Sequence, residues 1–148
     1  MTYTIRLPFA TPSQNQWDRY HWGRRAKWMK IASEWLMVRL GELGVSREAN
    51  SNRKMRVVIR RYSSGQLDYA NLVGGCKGLV DCLRYAGILV DDNPMWLEDI
   101  YEQAPAPRGE GRTEIEVSDA AASTTTTESD RRRPEQLGLL SGPQAGLL

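Results

Sequence analysis

The residues most able to do chemistry lie between positions 68 and 92. They are Asp68-Tyr69-Ala70-Asn71-Leu72, then Lys77 and Asp81, then Ala86-Gly87-Ile88-Leu89-Val90-Asp91-Asp92. Carboxylates at Asp68, Asp91 and Asp92 are hard oxygen donors. Mg²⁺ takes one or two such groups, with water and phosphate completing its shell. A cation held there can activate water and neutralise charge building on a phosphodiester. Lys77 would add positive charge to the same transition state. The same residues also admit a structural reading. Asp68 follows a Ser-Ser-Gly turn, and Asp91-Asp92 precede Asn93-Pro94, which is ordinary turn chemistry. Lys77 and Asp81 are four apart, the spacing of a surface ion pair on a helix. Spacing alone leaves both readings open.

Other catalytic classes find little material. The chain has one histidine, His21, so a His-rich metal site is excluded, and a Ser-His-Asp or Cys-His catalyst would depend on that residue alone. Its two cysteines, Cys76 and Cys82, are six apart on an expected helix, without the Cys/His set of a zinc site or a disulfide framework.

Positioning the acidic residues requires a small fold. At 148 residues and 16.8 kDa the chain is long enough for one domain with a core. Thr2 to Leu7 alternates polar and apolar, predicting a half-buried strand, and Pro8 to Asn15 reads as an ordered loop. From about Arg25 to Leu43 the apolar residues Met29, Ala32, Leu36, Leu40 and Leu43 recur at helical steps. Trp28, Ile31 and Trp35 widen that stripe, and Gly44 stops it. Arg53 to Tyr62 returns to strand character. A second helix is expected from Asn71, as its cap, to Ala86, with Gly74-Gly75 weakening its first turn. Ile88-Leu89-Val90 reads as a short buried strand that brings Asp91-Asp92 beside Asp68. Strands near Trp96–Glu102 and Thr113–Val117, joined by a hairpin loop from Ala104 to Gly111, complete the sheet. The fold class is therefore α+β, a small mixed sheet with two main helices. Residues 1–119 form the expected domain, and 120–148, without useful periodicity, read as a disordered C-terminal tail.

The formal net charge of +2 conceals an uneven distribution. Residues 1–66 carry 13 Lys/Arg against 4 Asp/Glu, a net +9, and residues 67–119 carry 4 against 11, a net −7. Two halves that neutralise each other would explain this. So would a polyanion-binding surface beside a cation-holding cluster. On the second reading Arg19, Arg24, Arg25, Lys27, Lys30, Arg56, Arg60 and Arg61 are the candidate phosphate contacts. Tyr20 and Trp22, interleaved with them, are candidate stacking residues, with core packing expected of at least one. No apolar run reaches the ~20 residues of a membrane span, and no signal-peptide core is present at the N-terminus, which points to the cytoplasm.

In order and spacing, Asp68 to Asp92 resembles the signature of the RusA family of Holliday junction resolvases, found in phages and prophages. That family has an Asp-x-Asp-Asn-Leu box, a helix with a Lys four residues before an Asp, then Ala-Gly, a short apolar run and Asp-Asp. Asp68–Leu72, Lys77 with Asp81, Ala86-Gly87 and Asp91-Asp92 match these in turn, with Val73-Gly74-Gly75 as a short insertion. Ile5-Arg6-Leu7-Pro8 and Pro12-Ser13-Gln14-Asn15 resemble the family's opening strand and Pro-Ser-x-Asn loop. The resemblance covers roughly residues 2–118. It implies a homodimeric endodeoxyribonuclease acting on four-way DNA junctions with Mg²⁺ or Mn²⁺, in a bacterial or phage-infected cell. It assigns Asp68 and Asp92 as metal-binding catalytic carboxylates, Lys77 as the catalytic lysine, Asp91 as a lesser ligand and Asp81 as a shaping residue.

One position departs from the pattern. The second Asp of the box is Ala70, whose methyl group cannot ligate a metal. Asp91, or the Asn71 carbonyl with added water, would fill the place in a working enzyme. Alternatively the chain is a junction-binding protein without cleavage, whether by natural loss or by deliberate substitution. A small domain that binds no nucleic acid is the remaining reading.

Overall fold

The computed structural model describes residues 1–46 and 52–121. The expected tail from 122 onward, with its Arg131-Arg132-Arg133, lies outside the described residues. The elements run β1 (Thr2–Leu7), α1 (Gln14–Arg19), α2 (Trp22–Leu43), β2 (Met55–Ser63), α3 (Tyr69–Gly75), α4 (Lys77–Tyr85), β3 (Leu97–Pro105) and β4 (Arg112–Asp119). They form a mixed α+β structure around one four-stranded sheet of order β1-β4-β2-β3. β4 is antiparallel to both β1 and β2, whereas β3 runs parallel to β2.

This order corrects the expected hairpin between the last two strands. β2 lies between β3 and β4, pairing Val58 with Ile100 on one side and with Glu116 on the other, so the 106–111 connection passes the end of β2. Ile88-Leu89-Val90 is not a strand. Ile88 and Leu89 are buried, but they belong to an irregular segment after α4, whose C-cap Ala86 is followed by Gly87 in the left-handed conformation, φ 79°. Three apolar residues in a row mark burial and not backbone conformation, hence the misreading.

Two helix boundaries also move. The Pro8–Asn15 loop ends at Ser13, the N-cap of α1. Ser13 Oγ accepts from the Gln16 N–H (3.1 Å), and the Ser13 N–H donates to Gln16 Oε1 (3.0 Å). This capping box was legible as Ser-x-x-Gln. The second expected helix starts at Tyr69, not Asn71, and breaks at Cys76 into α3 and α4. The first main helix is longer than expected. It begins at Trp22 behind a His21 cap and ends at Gly44 in the left-handed conformation, φ 67°. Of its stripe, Ala32, Leu36 and Leu40 are buried and Trp28, Met29 and Trp35 pack against the core, but Ile31 and Leu43 are exposed.

The core lies between one face of the sheet and the helices. Tyr3, Ile5, Leu7, Met55, Val57, Ile59, Ile115 and Val117 supply the sheet side, and Leu36, Leu79 and Leu83 the helical side. Both cysteines are free and buried. No helix among the described residues is long and apolar enough to cross a membrane.

Three glycines let the Pro12–Trp17 segment lie against α3 and α4. A Cβ at Gly75 would stand 1.8 Å from the Pro12 carbonyl oxygen, one at Gly74 2.4 Å from Gln14 Oε1, and one at Gly78 2.7 Å from the Trp17 ring. The Gly75 contact is to backbone, which cannot swing aside. Gly75→Ala therefore destabilises the protein despite alanine's better helix propensity, by about 2–3 kcal/mol or more, lowering Tm by roughly 5–15 °C. Gly41→Ala is the control. It meets nothing within 4 Å, and should raise stability by about 0.5–1 kcal/mol. Thermal unfolding followed by circular dichroism distinguishes the two signs.

Candidate functional site

Asp68 ends the loop after β2 and caps α3. Its Oδ1 accepts from the Asn71 N–H at 3.0 Å, and its Oδ2 from Asn71 Nδ2 at 2.7 Å. These two bonds, with further donation from the Ala70 N–H, hold its carboxyl below the usual range. The approach to this cap is fixed from the sheet. Gln103 on β3 accepts from the Leu67 N–H (2.9 Å) and donates to the Leu67 carbonyl (2.6 Å), gripping the residue before Asp68 with both ends of its amide. Ala70 is exposed in the first turn of α3.

Lys77 and Asp92 do come together. They line an open cavity of about 240 Å³, with Val80 and Leu97 as apolar wall and Asp99 and Tyr101 beside them. Tyr101 donates from its hydroxyl to Asp99 Oδ2 at 2.8 Å. Burial first, then Asp99, pushes the Tyr101 phenol above its ordinary range, so it stays protonated and a donor. Sequence reasoning missed Asp99 and Tyr101. The available signal was alternation along β3, since Leu97, Asp99, Tyr101 and Gln103 share the face turned to the helices.

The other acids are arranged differently. Asp91 is a turn residue. Its Oδ1 accepts from the Asp92 N–H (2.8 Å) and its Oδ2 from Asn93 Nδ2 (3.0 Å); the Asp92 N–H first, then the Asp92 side chain and Arg84 at 3.5 Å, lower its pKa. Asp81 reaches Arg84 at 4.0 Å, not Lys77 as the i,i+4 spacing suggested. Neither Asp68 nor Asp91 lines the cavity that holds Asp92 and Lys77. The cavity touches α3 at Val73 and Gly74, about 8 Å along the helix from the Asp68 cap at ~1.5 Å per residue. Among the described residues, no group of three or more His, Cys, Asp or Glu is placed to hold a metal ion. Asp92 and Asp99 are the carboxylates sharing a cavity with the lysine, and one or two carboxylates suffice for a Mg²⁺ that keeps its waters.

Three of the eight expected phosphate contacts are otherwise engaged. Arg61 is buried and donates to the carbonyls of Thr11 (2.8 Å) and Gly65 (3.0 Å). Arg60 pairs with Glu102 (2.6 Å) and Glu116 (3.0 Å), which raise its pKa, and Arg56 lies 3.8 Å from Glu98. The alternation on β2 put Arg56 and Arg60 on the face away from the core but could not show the acids waiting on β3 and β4. On the sheet, Arg56 and Arg60 of the basic first half thus meet Glu98, Glu102 and Glu116 of the acidic second half. On the helices, Arg19, Arg24, Lys27 and Lys30 are exposed, and Arg25 lies against Trp17 with its Nε donating to the Trp17 carbonyl (3.0 Å).

In comparison with known proteins, the chain matches no family model and no curated sequence. The resemblance to the junction resolvases therefore rests on its motifs.

Asp68 is a helix cap and a candidate ligand, and two substitutions separate these roles. Asn caps as well as Asp, whereas Ala does not. Asp68→Asn should leave Tm near the wild-type value at pH 7, and Asp68→Ala should lower it. The pH dependence follows from the lowered pKa. The carboxylate's contribution is present above the ordinary aspartate pKa and is lost as pH falls through the folded-state value. Asp68→Asn should flatten that part of the stability profile below about pH 4, measured by thermal melts across pH.

Proposed function

We propose that the chain is a RusA-like endodeoxyribonuclease, acting as a homodimer on branched DNA such as a four-way junction, with Mg²⁺ or Mn²⁺. The observation that carries this reading is the shared cavity of Lys77 and Asp92. These two motif residues are 15 positions apart in sequence, and both line one open cavity beneath α3. Asp92, helped by Asp99, is the natural holder of a divalent ion there, while Asp68 stands outside the cavity at the far end of α3. When bound, such an ion activates water and neutralises phosphodiester charge. Lys77 offers a mobile ammonium to the same phosphate, and the Tyr101 hydroxyl keeps Asp99 oriented through their hydrogen bond. A dimer would set two such sites on opposed strands.

A second reading has its own support. Ala70 leaves the box one carboxylate short, Asp91 does not line the cavity that holds Lys77 and Asp92, and no three-acid cluster stands among the described residues. On that reading the chain binds branched DNA without cutting it.

One series of assays decides between them. A labelled synthetic four-way junction is tested for binding in EDTA and for cleavage in Mg²⁺ and Mn²⁺. If the chain is an enzyme, Lys77→Ala and Asp92→Asn lower cleavage at least ~100-fold while retaining binding. If it is a binding protein, wild type binds without nicking and Ala70→Asp restores nicking. Absence of binding to junction or duplex at low salt rejects both.

A further inference from the structure

The exposed turn between α1 and α2 has properties that packing does not explain. Trp22 is 76% exposed, unlike Trp17, which is 8% exposed and packs edge-on against Trp28 with ring centroids 5.5 Å apart. Its one ring neighbour is His21, centroid 5.3 Å away and tilted by 44°. Tyr20 differs, because the Arg24 guanidinium covers its ring at 4.2 Å. Arg19, Arg24, Lys27 and Lys30 flank Trp22 in sequence and are exposed, and between Arg19 and Ala32 the sequence contains no Asp or Glu. Of these cations, none makes an ion pair among the described residues; the Arg25–Asp18 contact, at 3.9 Å, is the nearest neutralisation. No acidic residue occupies the first turn of α2. Arg24 and Arg25 in that turn oppose the helix dipole, whereas Arg19 sits favourably in the last turn of α1 and Lys27 and Lys30 lie beyond the first turn of α2.

We infer that this turn is a binding surface for nucleic acid with unpaired bases, Trp22 stacking on a base while the flanking cations meet phosphates. An exposed indole with a free face and unneutralised charges beside it is what such a ligand requires. Continuous duplex offers the phosphates but keeps its bases stacked. An anionic membrane would also attract the charge, but interfacial binding needs a continuous apolar face. After Trp22, the next exposed large apolar residue on α2 is Ile31, nine positions on. The helix leading into this turn, α1, touches α3 at its own start, through the Asn15 N–H and Asn71 Oδ1 (3.2 Å). The inference shares the nucleic-acid partner with the proposed function but does not depend on metal or cleavage.

The test uses the full chain in EDTA, which removes cleavage from the readout. Fluorescence anisotropy is measured with labelled oligo-dT, a blunt mixed-sequence duplex and phosphatidylserine vesicles. Trp22→Ala should weaken oligo-dT binding by roughly 10-fold, Trp22→Phe by less than about 3-fold, and duplex binding should change by less than about 2-fold in either. Lys27→Glu with Lys30→Glu should weaken both nucleic acids and make the salt slope on oligo-dT shallower by about 1.4. Unchanged circular dichroism confirms that each variant is folded. Equal oligo-dT affinity in Trp22→Ala and wild type, equal losses on dT and duplex, or tighter binding to vesicles than to oligo-dT would each overturn the inference. Absence of junction cleavage by wild type and Ala70→Asp in Mg²⁺ and Mn²⁺, with this binding pattern intact in EDTA, would reject the nuclease reading alone.

Discussion

The rest of the structure depends on the contact of the Pro12 carbonyl with the α-carbon of Gly75. At that approach no side chain fits between loop and helix. The loop is held from its other side by the sheet. Arg61 Nε donates to the Thr11 carbonyl, the Thr11 N–H donates to Thr113 Oγ1 (3.2 Å), and the Thr113 hydroxyl donates to the Phe9 carbonyl (2.8 Å). Thr11 and Thr113 are both buried, so these polar groups must find partners within the protein. Arg61 is the strongest demand. Burial lowers its pKa, no carboxylate pairs with it, and it is satisfied by two backbone carbonyls, one on each loop flanking the site. A cation compensated only by neutral dipoles keeps those carbonyls in place, because losing either would leave buried charge uncompensated. Cys76 is packed against Thr11 in the same region, and burial pushes its thiol up to about 11, so it behaves as an apolar filler.

From that clamp the site follows mechanically. Seating the loop against Gly75 sets α1 against α3, which places Asn15 on Asn71 and Asn71 on Asp68. Arg61 also holds Gly65, at the start of the segment leading to Asp68, and Gln103 grips Leu67 next to it. Three strands thus contribute to the position of one carboxylate. The outward face of the sheet carries its own Arg/Glu pairs, whereas Arg19, Arg24, Lys27 and Lys30 on α1 and α2 are exposed and make no ion pair among the described residues.

Much of the fold was legible because periodicity reports burial directly. β1 and β4 alternate cleanly, β2 does so apart from the buried Val58, and Ala32, Leu36 and Leu40 fall on one helical face. What failed was information that sequence carries only through pairing. Nothing in Leu97–Pro105 says that it runs parallel to β2, and Ile88-Leu89 is buried without being extended. Lys77 and Asp92 were singled out by motif order, whereas Asp99 and Tyr101, which line the same cavity, belong to no motif and lie in the strand expected near Trp96–Glu102. Arg61 was misplaced for a related reason. The alternation of β2 turns it toward the helices, but its arginine type suggested solvent. Gly74-Gly75 was read as a weakness of the helix, and its purpose became visible only when Pro12 was seen lying on it.

The double engagement of Asp68 does not by itself remove it from metal chemistry. An ionised carboxylate presents about four lone-pair directions, and Asn71 takes one on each oxygen. The cap therefore leaves acceptor capacity on both atoms, and its lowered pKa keeps the group ionised at neutral pH. The shortage lies instead in the number of acids along α3. A helix advances ~100° per residue, at 3.6 residues per turn, so position 70 faces a direction that Asp68 and Asn71 do not cover. Asp91, with one bond on each oxygen, keeps acceptor capacity by the same count, but it does not line the cavity that holds Lys77 and Asp92. Asp99 belongs to the cavity wall and could contribute without any change of fold, which makes the acidity of β3, and not the Asp91-Asp92 pair, the feature that decides whether a box lacking its second aspartate still has enough ligands.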